Sequence, residues 1–242
     1  MPEPTVYDSQ GRPLRLGAEI DKGGEGNVWE IAGLPDRVAK LYHAPKAEQG
    51  AKLSAMIALQ SDRLLKVAAW PVETLHDPRG TVRGFLMPRA VGRQVHVLYG
   101  PKSRLAAFPQ ATWPFLLQAA ANLARAFAVV HEQSLVVGDV NHANSLVSEQ
   151  ATVTLIDCDS FQVPNGGQPF YCGVGVDTHV PPELQAHDLT RVLRTPNHDV
   201  FGLAVLIFQI LCMGRHPFSG RFLGSGDMPI PRAIQELRFA YG

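Results

Sequence analysis

The stretch Val136-Val137-Gly138-Asp139-Val140-Asn141-His142-Ala143-Asn144-Ser145-Leu146-Val147 decides how the rest of the chain is read. Two short apolar runs flank a tight polar loop, which carries an aspartate and, five positions later, an asparagine. An aspartate can accept a hydroxyl proton, and an asparagine carbonyl oxygen can coordinate a hard divalent cation. Both residue types also cap turns by accepting backbone N–H bonds, so the loop alone fits either purpose. Thirteen residues past Asn144, the apolar run Thr154-Leu155-Ile156 ends in Asp157-Cys158-Asp159. A carboxylate at the exit of a buried strand needs a cation or donors, because its desolvation is costly. Magnesium would serve Asp157, and Asn144 could share that ion.

Upstream lies Asp21-Lys22-Gly23-Gly24-Glu25-Gly26-Asn27-Val28. Glycines between two strands let backbone N–H groups approach phosphate oxygens with no side chain in the way. A tight hairpin turn uses the same residues, so two readings stand. Fourteen residues past Gly26, Val38-Ala39-Lys40 sets a lysine inside an apolar strand. Such a lysine either snorkels outward or points inward to a carboxylate or phosphate.

The first ninety residues read mainly as strands at Leu14–Ile20, Asn27–Ala32, Arg37–Tyr42, Trp70–Leu75 and Val82–Met87, separated by Gly and Pro turns. Leu53, Met56 and Leu59 place one helix over Lys46–Leu59. The expectation is a five-stranded antiparallel sheet interrupted by one helix. Beyond it, Thr112 and Pro114 open a helix whose inner face would be Phe115, Ala119, Leu123, Phe127 and Val130. Short strands are expected at Leu135–Val137, Ser145–Val147 and Thr152–Ile156. A loop spans 158–182, and an apolar helix runs from Asp199 to Met213, ended by Gly214. A boundary near Val91–Gly92 divides the chain into 1–91 and 92–242.

The 242 residues carry 22 Lys+Arg and 22 Asp+Glu, a net charge of zero. That balance argues against a nucleic-acid binder, whose affinity comes from a cationic excess. Three scattered cysteines without a CxxC support neither a disulfide framework nor a zinc site. Glu3, Asp8, Arg12, Arg15 and Glu19 break up any apolar signal core at the start. The longest apolar stretch, Val200–Met213, is shorter than a bilayer requires. No membrane partner and a cytoplasmic location are therefore expected.

Taken together, these motifs resemble the protein-kinase superfamily. The resemblance covers nearly the whole chain and implies an α+β, bilobal kinase-like fold, with an antiparallel β-rich N-lobe and a mainly helical C-lobe. It implies a glycine-rich loop at Gly23, Gly24, Gly26 and Val28 and a Val-Ala-Lys motif at Ala39 and Lys40. It also implies a catalytic loop from Asp139 to Asn144 and a metal-binding Asp157. Val180-Pro181-Pro182-Glu183 is similar to the Ala-Pro-Glu segment, and Asp199 to the aspartate beneath the catalytic loop. Met87 would be a gatekeeper in a Phe85–Ala90 hinge, with the Ala90 backbone meeting adenine. Asp139 would be the base, Lys40 would hold the α/β-phosphates, and Asn144 with Asp157 would hold Mg2+. The implied activity is transfer of the γ-phosphoryl group of ATP to Ser or Thr of a protein. Within the superfamily the chain is similar to bacterial kinases encoded beside a PP2C-type phosphatase and a tellurite-resistance-associated, von Willebrand-type protein, which implies those partners.

The sequence departs from the family pattern at named positions. Asp21 replaces the first glycine of the loop, Gly138 the arginine before the catalytic Asp, Asn141 the catalytic-loop lysine, and Asp159 the glycine of Asp-Phe-Gly. Glu48 is the one Glu between Lys40 and Glu73, which makes it the candidate ion-pair partner of Lys40. With Gly138 in the arginine position, activity is not expected to require a phosphate on Ser160, Tyr171 or Thr178, unless Arg191 or Arg194 receives one. Two rival functions fit the same residues: a nucleotide-binding pseudokinase scaffold, and a small-molecule phosphotransferase. The short stretch after Gly214 also suggests either a minimal C-lobe or a domain cut from a longer chain.

Overall fold

A computed structural model of the chain describes residues 5–241, so Glu3 lies outside the described residues. The chain divides into two compact units, residues 1–90 and 91–242. The first holds β1 (Val6–Tyr7), β2 (Pro13–Leu14), β3 (Leu16–Lys22), β4 (Gly26–Ile31), β5 (Arg37–Tyr42), α1 (Gln49–Ala58), α2 (Asp62–Leu65), β6 (Glu73–His76) and β7 (Val82–Pro88). All pairings are antiparallel, in the order β2-β1-β6-β7-β5-β4-β3.

The sheet therefore has seven strands where the sequence pattern predicts five. The added pair is a hairpin closed by Asp8, whose Oδ1 accepts the N–H groups of Gln10 and Arg12 while Oδ2 accepts Arg12 Nε. Two-residue strands carry no alternation to detect. The expected helix starts three residues late, at Gln49, and a second short helix follows because Ser61 Oγ accepts the Leu64 N–H.

One sheet face packs as an apolar core of Val6, Leu16, Ile31, Ala39, Leu75 and Leu86. Register fixes what the other face carries. Lys40 lies opposite Val28 and Phe85, and Val38 opposite Met87. Because side chains alternate, Val28, Val38, Lys40, Phe85 and Met87 share one face and Ala39 points to the other. Ala39 is fully buried in the core, so it is not a cofactor contact. Val38, two residues before Lys40, holds the position expected for it.

The second unit holds β8 (Arg93–Gln94), α3 (Pro101–Ala107), α4 (Trp113–Glu132), β9 (Ser145–Val147), β10 (Val153–Leu155), α5 (Pro196–Leu211) and α6 (Ile230–Gln235). A small sheet runs β10-β9-β8. Thr112 holds the N-cap position of α4, which buries Leu116, Ala119, Leu123, Ala126, Phe127 and Val130. Phe115, expected inside, is half-buried. By length and composition α4 could cross a membrane, but here it packs against α5 and β10. α5 starts at Pro196, three residues before the expected position. No strand forms at Leu135–Val137; the segment makes a single bridge, Val136 with Gln162.

Two glycines of the first unit are required by packing. A Cβ on Gly84 would overlap the Lys40 carbonyl oxygen, and one on Gly26 would overlap that of Leu41. Gly24 instead has nothing within 4 Å of where its Cβ would lie. Gly84→Ala is expected to cost about 2 kcal/mol and lower Tm by about 4–8 °C. Gly24→Ala should shift Tm by less than about 1 °C, as exposed substitutions away from strained sites do. Melting curves that leave Gly84→Ala at the wild-type Tm would refute this account of the β5–β7 contact.

Candidate active site

The site in the second unit is built around one buried carboxylate. Asp199, 1% exposed on the first turn of α5, accepts the Val137 N–H at 2.7 Å and His131 Nε2 at 2.8 Å on Oδ2, and the Gly138 N–H at 2.8 Å on Oδ1. The N–H groups of Val137 and Gly138 are thus committed to a side chain, which is why no ladder forms there. Gly138 has φ +71°, a conformation glycine adopts at little cost, and the turn delivers Asp139 into the loop.

Asparagines then hold the loop shut. Asn141 Oδ1 accepts the N–H groups of Ala143 (2.9 Å) and Asn144 (3.2 Å), capping a 3-10 turn over His142–Asn144. Asn144 Nδ2 donates to the Asp139 carboxylate at 2.9 Å and to its carbonyl at 3.1 Å. With its amide nitrogen so engaged, Asn144 turns its Oδ1 away from Asp139. The Ile156 N–H donates to the Asn144 carbonyl at 3.0 Å, so the residue before Asp157 is tied to Asn144. Asp157 has φ +58° and opens a 3-10 turn in which Ser160 donates twice to its carbonyl.

Burial holds the Asp139 carboxyl above the usual carboxylate range. The hydrogen bonds from Asn141 and Asn144 pull it back, the neighbouring Asp157 charge raises it, and Arg194 lowers it. Asp139 Oδ1 is buried and accepts no hydrogen bond among the described residues. An oxygen buried in that way is costly unless a donor reaches it. A substrate hydroxyl is such a donor.

In the first unit, Lys40 is 6% exposed and shares its face with Val28 and Met87. Gly23 and Gly26 close the β3–β4 turn through the Gly23 N–H bond to the Gly26 carbonyl at 3.0 Å. Glu48 does not play the part expected of it. It is the exposed N-cap residue of α1 and forms no ion pair among the described residues. α1 itself, Gln49–Ala58, contains no Asp or Glu, so no carboxylate of that helix serves Lys40. Ala90 ends the unit beyond β7.

Arg194, which the sequence offers only as a candidate phosphate receiver, is buried here, and a row of histidines that no motif announces lies beside the loop. His142 of the Asp139–Asn144 loop lies 5.3 Å from His96 and 6.4 Å from His179, and His179 lies 6.1 Å from His216, ring centre to ring centre. Gln209 Oε1 accepts from Tyr99 Oη at 3.0 Å and pairs with His179 Nε2 at 3.3 Å. His216 Nε2 meets the Thr178 carbonyl at 2.8 Å. The row joins the catalytic loop to the segment before Pro181-Pro182-Glu183. Its members lie far apart in sequence, so no spacing announces it.

The fold defines the class: the chain has a protein-kinase fold and is similar along nearly its whole length to two protein kinases. Over 244 residues, 99% of the chain, it is 43% identical to protein kinase YegI of Escherichia coli O157:H7. It is 44% identical over 241 residues to protein kinase YegI of Escherichia coli strain K12. The chain spans 38% and 37% of the length of these relatives. No family profile matches it. Among solved structures, the ROP18 kinase domain in complex with AMP-PNP and sucrose superposes with a TM-score of 0.65 at 17% identity, covering 88% of this chain and 68% of that one. ROP2 from Toxoplasma gondii, described as having a protein-kinase fold and no enzymatic activity, gives 0.62 at 19%, covering 89% and 68%. At these identities the likeness concerns the fold.

The histidine row makes stability depend on pH. Burial lowers the His142 and His216 imidazoles from their ordinary value, and brings His179 down to about 4. The unfolded chain, with histidine near 6.5, then binds more protons than the folded one between pH 6.5 and 4. Stability is accordingly complete above pH 6.5 and falls as pH drops through that window, by about 3 kcal/mol from His179 alone at the lower end. His179→Gln should flatten the fall of Tm between pH 6.5 and 4.5. Parallel profiles for variant and wild type would show that the row does not titrate in this way.

Proposed function

We propose that the chain is an ATP-dependent protein kinase that transfers the γ-phosphoryl group of Mg-ATP to Ser or Thr hydroxyls. The observation that carries this reading is the bonding of Asp139 to Asn144 and of Asn144 to the strand that ends at Asp157. Asp139 orients the acceptor hydroxyl and takes its proton through the buried Oδ1. Its raised affinity for protons suits a base that must hold one briefly. Asn144 Oδ1 and the Asp157 carboxylate are oxygen donors, which hard cations prefer. That pair suits a magnesium ion held by one carboxylate, one amide and the phosphates of its nucleotide. Bound there, the ion would neutralise charge on the transferring phosphates.

Lys40 supplies a buried cation for the α/β-phosphates. The open space above Gly24 leaves room for a phosphate near the loop, and Val28, Val38 and Met87 offer apolar contact on the Lys40 face. The Ala90 backbone makes no hydrogen bond among the described residues, which leaves it for adenine. A protein acceptor in the cytoplasm is the substrate class. The PP2C-type phosphatase and von Willebrand-type protein are the partners the resemblance suggests.

A second reading, nucleotide binding without turnover, is favoured by α1, which lacks a carboxylate, and by Asn141, which caps the loop where a lysine would meet the phosphoryl group. Mg-ATP should raise Tm of the wild type through ligand linkage, worth about 2.7 kcal/mol at a hundredfold excess over Kd, and Lys40→Ala should remove most of that gain. Asp139→Asn should keep the gain but lose phosphate incorporation by about 100-fold or more. Asp157→Asn should lose incorporation, and Asp159→Gly should retain it. Incorporation undiminished in Asp139→Asn, or absent from the wild type, would remove the kinase reading.

A further inference from the structure

The space that a side chain at position 138 would occupy is already filled. A Cβ on Gly138 would meet Cys172 Cβ and Sγ at 2.6 Å and Arg194 Nη1 at 3.0 Å. Arg194 enters this space from the segment before α5, and its side chain is 4% exposed. Nη1 donates to the Gly138 carbonyl at 2.5 Å, and Nη2 donates to the Val174 carbonyl at 2.6 Å. The Arg194 backbone is fixed as well: its N–H donates to Gln162 Oε1, and its carbonyl accepts from Gln162 Nε2, both at 2.8 Å. Gln162 belongs to the same segment as Val174, so Arg194 grips that segment at two points twelve residues apart. It also grips the residue before the catalytic Asp139. Cys172 Sγ adds a weak contact to the Val174 carbonyl at 3.5 Å.

A guanidinium offers a planar fork of donors. In phosphate-gated kinases, an activation loop is ordered when an arginine pairs with a newly added phosphate. Here both terminal nitrogens donate to backbone carbonyls inside the second unit, while Nε is buried without a hydrogen bond among the described residues. Among the described residues Arg194 forms no ion pair within 4.0 Å, and the two carbonyl dipoles together with the attraction of the Asp139 carboxylate offset its desolvation. Buried and donating from both terminal nitrogens, Arg194 would have to release these two carbonyls to pair with a phosphate at the surface.

We propose that Arg194 is a positioning residue that holds segment 160–182 in its working conformation without phosphorylation, by clasping the Gly138 and Val174 carbonyls. This rests on the kinase reading for its consequence on turnover, though the clasp itself is a statement about order in the segment. Two kinds of measurement on the full chain separate these. First, phosphatase-treated wild type, shown free of phosphate by intact mass, should phosphorylate an added protein acceptor within about twofold of the untreated rate. Arg194→Met should lower kcat at least tenfold with the ATP KM within about threefold. Arg194→Lys, which keeps the charge but reaches one carbonyl at a time, should recover part of the loss. Second, proteinase K should cut within residues 163–178 of Arg194→Met at least tenfold faster than in wild type, at a temperature well below both Tm values, with Arg194→Lys between them. If Arg194→Met does not fold, Arg194→Lys against wild type decides both measurements. A wild type that transfers no phosphate would sink the kinase reading, and the cleavage rates would still decide the clasp. Equal cleavage rates, equal kcat values, or a tenfold loss on phosphatase treatment would overturn the proposal.

Discussion

Three hydrogen bonds to Asp199 hold the second unit's loop in place. A carboxylate 1% exposed is tolerable when donors surround it, and here two backbone N–H groups and an imidazole do so. Bonds to a charged group contribute about 1.5–3 kcal/mol each, more than the single bridge the segment makes with Gln162. The donors of residues 137 and 138 therefore go to α5, and the chain is free to turn at Gly138 and present Asp139. His131 ties the same carboxylate to α4, so two packed helices and the loop share one anchor. The asparagine bonds, and through Ile156 the placement of Asp157, are built on that turn.

The departures from the family pattern acquire structural uses. Asn141, in the place of a lysine, caps the turn that sets Asn144. Gly138, in the place of an arginine, leaves room for the Cys172 side chain and for an arginine arriving from elsewhere in the chain. In the first unit, Val38 rather than Ala39 lies beside Lys40, because alternation along a strand makes a one-residue shift a change of face. These positions are better understood by the contacts they permit than by the residue they lack.

Much of this was legible in the sequence, and the parts that were not share a physical cause. Strand β5, helix α4 and the loop from Asp139 to Asn144 announce themselves through alternation, helical spacing and a fixed short interval. The Asp8 hairpin escaped because two-residue strands have no period. The strand expected at Leu135–Val137 failed because its apolar residues reported burial correctly, while the Val137 donor was claimed by a side chain 62 residues away and the Leu135 donor by the end of α4. Glu48 was chosen by elimination, as the one acid in its interval, but it falls at the exposed N-terminal end of α1, where its side chain makes no capping bond. The Arg194 clasp and the histidine row could not be found by spacing, since their partners lie 20–56 residues away along the chain.

The Asp8 hairpin has a consequence for how the first unit meets other molecules. A sheet ends in rows of unpaired N–H and C=O groups that invite a foreign strand. Here β1 and β2 sit outside β6, and the outermost strand is two residues long and includes Pro13, which has no N–H to offer. At the opposite border β3 carries Glu19, Asp21 and Lys22, charges that discourage apolar pairing. Both borders of the sheet are thus poor templates for intermolecular β-pairing, which protects a β-rich unit against aggregation.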